Sequence, residues 1–233
     1  MPFYIYIFFG LAPSIIWLLF YLRKDAHPEP NSMVVKIFFY GMLMGVPAIL
    51  VEQGLFKVFQ NSIENTFLLL IFSVFFGIAL VEEGLKYLVV REKVLTNSNF
   101  DEPLDVMLYL IIAGLGFAGL ENILLLFNNV FSIADVFAVS IFRFIGATFL
   151  HALCSGILGY FLALSLLETK NRFRFLTTGF AIAVLLHGIY NFSIITINGD
   201  LKLILPLVIL AILAVAVSNG FKELKELKSI CKI

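Results

Sequence analysis

TFLLLIFSVFFGIALVEEGLKYLVV, residues 66–90, is long and apolar enough to cross a bilayer, yet near its end it carries Glu82, Glu83 and Lys86. A spanning helix needs about 20 mostly apolar residues. An ionised side chain near the bilayer centre costs roughly 2.5–3.5 kcal/mol on insertion scales, so carboxylates there call for partners or a function. On a helix Glu82 lies four residues before Lys86 and Glu83 three, which lets the lysine neutralise one carboxylate and leave the other. The plain alternative is a self-compensated cluster near the interface, with Lys86 snorkelling.

The rest of the chain has the same character. Of 233 residues 61% are hydrophobic and 14% charged, with a mean hydropathy of +1.02, whereas soluble domains carry roughly 25% charged residues. Six further segments qualify as spans, at about 3–22, 34–51, 104–127, 136–167, 175–197 and 201–218. The expected fold class is all-α, a polytopic transmembrane helical bundle of about seven spans, or eight if the overlong fifth is split. Residues 1–218 form one bundle domain and 219–233 a basic cytoplasmic tail, whose FKELKELKSICKI spacing suits a short helix on an anionic leaflet. The first segment lacks a basic start and a small-residue cleavage site, so it reads as a retained helix.

Basic residues set the orientation, because cytoplasmic loops retain Lys and Arg. Arg23, Lys24, Arg91, Lys93, Lys170, Arg172, Arg174 and four tail lysines fall on one side, against Lys57 and Lys202 on the other. This predicts an N-terminus outside, a connector near 52–65 outside and a cytoplasmic C-terminus. The expected location is a cell membrane, as a multi-pass protein of a bacterial or archaeal inner membrane, with the lipid bilayer as one partner. Sixteen basic and sixteen acidic residues with no basic patch argue against nucleic acid. Cys154 and Cys231 are too few and too oddly placed for a disulfide framework.

Polar residues recur inside the other apolar segments. In GFAGLENILLLF, Phe117 and Glu121 share a face and Gly114, Gly116 and Gly119 permit close helix approach. Glu121 has no basic neighbour within a turn, so its charge is met from another helix or it is protonated. In RFIGATFLHALCSGILGY, Arg143, Ala147, His151 and Ser155 recur every four residues, and in LLHGIYNF His187 and Asn191 project from one face. Each alone reads as packing. Together they put carboxylates or imidazoles on four helices in hydrocarbon, where mutual satisfaction is the cheapest arrangement. Such a cluster can bind a divalent metal with an open position, or hold and deprotonate a water without one; either suits peptide-bond hydrolysis. If the spans began level, Glu82 would sit roughly 15 Å from the depth of Glu121, at 1.5 Å rise per residue.

At these residues the chain resembles the PrsW family of intramembrane proteases, related to the CAAX-protease and bacteriocin-processing superfamily. The likeness runs from YLRKDAHPEPNSMVVKIFFYG to LLHGIYNF. Glu82, Glu83 and Lys86 match an EExxK-type motif, and Phe117 to Glu121, followed by Asn122, an FxxxE motif. FDEPLDVMLY, with Asp105, is similar to the family's acidic approach to the fourth span; Arg143 with His151, and HGIYN, match the remaining motifs. Two departures stand out: Asn191 where members often have Asp, and Val106 and Leu110 where glycines are frequent. The resemblance implies an endopeptidase acting on a single-pass membrane protein such as an anti-sigma factor.

The resulting expectation has Glu82, rather than Glu83, activating water and Lys86 compensating the other carboxylate. If a metal takes part, zinc foremost, Glu121, His151 and His187 are its expected ligands; if none does, His187 with Asn191 stabilises the oxyanion. Three alternatives remain: a proton- or ion-coupled transporter, a non-catalytic scaffold, and a protease acting on prenylated protein. Internal repeats and paired broken helices, which would favour transport, are not found.

Overall fold

Helix α5, Pro103–Phe127, is the pillar of the molecule, buried continuously from Pro103 to Gly119. It starts on a proline and a reciprocal Glu102–Asp105 capping box, the arrangement that satisfies a helix's first free N–H groups. The computed structural model describes residues 2–25, 27–97, 100, 102–128 and 131–227. Around α5 pack α1 (Phe3–Leu22), α2 (Asn31–Ser62) and α7 (Ala147–Leu167), with α8 (Arg172–Thr196) and α9 (Leu201–Glu226) beyond. Small residues permit this crowding: a Cβ on Gly41 would run into the Ala113 carbonyl, and one on Gly116 into that of Phe38. Backbones in apolar surroundings gain by such approach, since lipid tails supply no hydrophobic drive between helices.

Among the described residues seven helical stretches are long and apolar enough to cross a membrane, so the protein is a multi-pass membrane bundle. Their alternation groups the start of α1 with residues 63–65 and 197–200 at one face, and residues 23–25, 27–30 and 168–171 with the far end of α9 at the other.

Two helices, α2 and α9, run past their expected ends, and the overlong fifth segment takes the split form that was one of its expected readings. Helix α2 runs to Ser62, well past 51, because its outer turns pack on the next span, with Phe59 and Phe72 edge to face at 5.9 Å. Glu52 therefore lies in a helix and not in a connector. The third span is α3 (Thr66–Phe72), a π-helical turn over Ser73–Ala79 and α4 (Leu80–Lys93), without a break. The overlong fifth segment is divided at Gly146, which separates α6 (Ile133–Ile145) from α7. A Cβ there would lie 2.6 Å from the Tyr190 hydroxyl, so the kink sits where the chain can approach α8. Helix α6 then lies on α1, with Ser140 Oγ donating to the Phe9 carbonyl at 3.0 Å. Finally, α9 continues to Glu226, with Phe221 and Leu224 buried, so the first part of the expected tail extends the last span. The remainder, 228–233 with Cys231, lies outside the described residues; Cys154 is buried and free.

Candidate active site

The π-helical turn sits one step before the residues that matter most. Such widened turns are rare and concentrate at functional sites. The helix that resumes at Leu80 carries Glu82, Glu83 and Lys86 inward, at 3%, 0% and 0% exposure. Lys86 Nζ donates to Glu83 Oε1 at 2.8 Å and lies 3.5 Å from Glu82 Oε2. It also stands 4.7 Å from the centre of the Phe117 ring, a cation–π contact.

Helix α7 brings His151 to the same ammonium, with Nδ1 at 2.7 Å from Lys86 Nζ. An ammonium only donates, so Nδ1 accepts, and the ring proton sits on Nε2, which points at Glu121 Oε2 at 2.9 Å. Arg143, from the end of α6, donates to the same Glu121 oxygen at 2.9 Å. The counter-charge that Glu121 lacks on its own helix thus comes from two others. Arg143 Nε also donates to Asn122 Oδ1, and Asn122 Nδ2 in turn donates to the Gly10 carbonyl at 3.1 Å and to Thr148 Oγ1 at 3.0 Å. This chain of bonds ties α1, α5, α6 and α7 together at the centre.

His187 on α8 completes the cluster. Its Nδ1 lies 2.9 Å from Glu83 Oε1, a carboxylate oxygen that can only accept, so Nδ1 carries a proton and Nε2 offers its lone pair toward Glu82 Oε2 at 3.7 Å. Glu82 Oε2 is also 3.6 Å from His151 Nδ1, and the two imidazole rings meet edge to face at 5.1 Å. The depth mismatch expected between Glu82 and Glu121 does not arise, since both reach His151. The spans are staggered, and distance from a helix end does not measure depth.

Glu82, His151 and His187 offer ligand atoms that all lie within 4.8 Å of one another. The expected trio had Glu121 in place of Glu82; here Glu121 faces the far nitrogen of His151. The donor set fits a divalent metal well. Three ligands at about 2.0–2.1 Å from a tetrahedral zinc stand roughly 3.3 Å apart, close to the 3.6 and 3.7 Å found from Glu82 to the two rings. Each imidazole also has a carboxylate on its other nitrogen, Glu121 behind His151 and Glu83 behind His187, the outer arrangement that orients metal-binding histidines.

Two expected site residues stand apart. Asp105 caps the opposite end of α5, about 24 Å from Glu121 along the helix, with Oδ2 accepting from Glu102 N at 2.8 Å. Asn191 is half-buried one turn beyond His187, and its side chain makes no hydrogen bond among the described residues. Sequence reasoning missed Glu52, which interacts electrostatically with Glu82, Glu121 and Lys86. The signal was available, as an acidic residue amid apolar sequence, but the hydropathy boundary assigned it to a connector.

A centre able to activate water, enclosed by spanning helices, places the molecule among intramembrane hydrolases. Residues 29–217 match the profile of the PrsW family intramembrane metalloproteases, and the chain belongs to that family. It is similar to proteins named Protease PrsW from Oceanobacillus iheyensis (30% identical, 86% of this chain and 88% of the relative) and Bacillus subtilis (31%, 86% and 87%). A third, from Clostridioides difficile, is 31% identical over 88% of this chain and 84% of its own. No solved structure matches the chain. Membership makes the protein a membrane protease and sets aside transport and scaffolding as its principal role.

Proposed function

We propose that Glu82, His151 and His187 form the water-activating centre of an endopeptidase whose substrate is a single-pass membrane protein, an anti-sigma factor being the class that the resemblance suggests. The observation that supports it most is the buried trio in which each imidazole is backed by a second carboxylate. A bound divalent ion such as zinc, held by the three side chains, would supply Lewis-acid polarisation and a more acidic water. Glu82 turns Oε2 toward both rings and Lys86, leaving Oε1 without a protein partner among the described residues. That oxygen takes the proton of the attacking water and returns it to the leaving amine, as a general base then acid. Arg143 and Lys86 hold Glu121 and Glu83 in place, so the imidazoles keep their orientation as charge develops.

The test uses the full chain purified in detergent, metal analysis, and a single-pass anti-sigma factor as substrate. Glu82→Gln is expected to lower cleavage about 10²- to 10⁴-fold, the scale of losing a positioned base. Chelation should stop cleavage and zinc restore it, while His187→Ala should lose the metal. Full activity of Glu82→Gln would return the cluster to a structural role.

A further inference from the structure

We propose that the cleft between the later half of α2 and the π-helical turn seats the peptide to be cut, and that Glu52 selects a Lys or Arg side chain beside the scissile bond. The inference rests on the protease reading above and adds the substrate's chemistry.

The cleft is a cavity of about 330 Å³ lined by Glu52, Gln53, Phe56 and Lys57 of α2 and by Ser73, Gly77 and Ile78 of the π-helical turn. That volume is at the small end of ligand-sized pockets, roughly 300–1,000 Å³, and matches a few residues of extended chain but not a whole helix. A peptide bond must leave its helix before water can attack it, so a site for a short unwound segment is what the chemistry requires. The inner wall leads to the centre: Ile78 lies one helical turn before Glu82, and Glu52 feels the charges of Glu82, Glu121 and Lys86.

Four polar side chains line the cleft, Glu52, Gln53, Lys57 and Ser73, and two of them bear directly on its occupant. Ser73 Oγ is buried without a hydrogen-bond partner. A peptide backbone laid along the turn would supply one, and a buried polar group gains most from exactly such a missing partner. The Glu52 side chain makes no hydrogen bond or ion pair among the described residues. The other carboxylates near it have cations within the protein: Lys86 takes Glu83 at 2.8 Å and lies 3.5 Å from Glu82, and Arg143 takes Glu121 at 2.9 Å. A substrate closing over the cleft would withdraw the Glu52 carboxylate further from water. That is costly unless a cation meets it, and Lys57 of the same cleft makes no ion pair with Glu52 among the described residues, which leaves the occupant to bring one.

The experiment places the full chain in liposomes with a single-pass reporter whose juxtamembrane segment is randomised, and reads the cut products by mass spectrometry. Wild type is expected to enrich Lys or Arg beside the cut about tenfold, the scale of one partly desolvated ion pair. Glu52→Gln, which keeps the side chain's shape, should lose that enrichment while still cleaving, and Glu52→Lys should turn it toward Asp and Glu. Cleavage by Glu52→Gln with the wild-type sequence profile would overturn the inference and leave the protease reading intact. A wild-type chain that cuts no better than Glu82→Gln would overturn both.

Discussion

Lys86 Nζ lies 2.7 Å from Nδ1 of His151, so a fully buried ammonium holds the ring nitrogen that a divalent ion would need. Lysine and metal therefore compete for one lone pair. Lys86→Met removes the competitor and, in the metal-free protein, leaves the Glu83 carboxylate without its cation. Loss of one partner from a buried ion pair typically destabilises by about 3–5 kcal/mol. Thermal unfolding in detergent should show that loss without zinc and a larger zinc-induced rise in Tm for the variant than for wild type. Equal rises would mean that lysine and ion do not share the site.

Glu83 holds the other imidazole through its Nδ1. Glu83→Gln keeps the volume but weakens the orienting bond, and outer partners of this kind typically contribute 10- to 100-fold in metal affinity. Titration of the purified variant with zinc should show a loss on that scale; unchanged affinity would remove Glu83 from the orienting role.

The connector before α2 carries a pH-dependent contact. Tyr109 donates to Glu29 Oε2 at 2.6 Å. Burial pushes the Glu29 carboxyl up to about 8, opposed by the Tyr109 hydrogen bond and reinforced by Asp105 and then Asp25. The folded protein thus keeps a proton that the unfolded chain releases in the ordinary carboxylate range. Stability from this group is complete below that range and is lost as pH rises through about 8. Unfolding measured from about pH 5 to about pH 9 should show the decline in wild type and a flatter profile in Glu29→Gln. An identical slope in both would assign it elsewhere.

The bias of eleven basic residues against two in the sequence predicts an N-terminus outside and a cytoplasmic C-terminus. A cysteine introduced at Asn97 should react with an impermeant reagent only from the cytoplasmic side, and one at Ile63 only from outside. Labelling of position 97 from outside would invert the assignment.

Much of the site was legible because bilayer physics makes polar residues conspicuous. Glu82, Glu121, His151 and His187 stood out in apolar sequence, and each does reach the common cluster. Glu52 did not stand out, because a hydropathy window stops at the first polar residues, whereas a helix continues wherever its backbone bonds are met and a neighbour packs against it.

Sequence alone determined that the chain is a bundle of apolar helices, since a backbone in hydrocarbon must satisfy its own hydrogen bonds and only long apolar segments repay insertion. It also determined that Glu121, with no basic neighbour on its own helix, would need a partner from another helix or a proton. Tertiary structure decided which partners the buried carboxylates meet. The stagger between spans brings Glu82, and not Glu121, level with the free nitrogen of His187, and the kink at Gly146 places Arg143 against Glu121 while His151 turns inward. Helical periodicity specifies which residues share a face, but the rotation and height of one helix against another are set by contacts between residues far apart in the chain, and no local pattern encodes them.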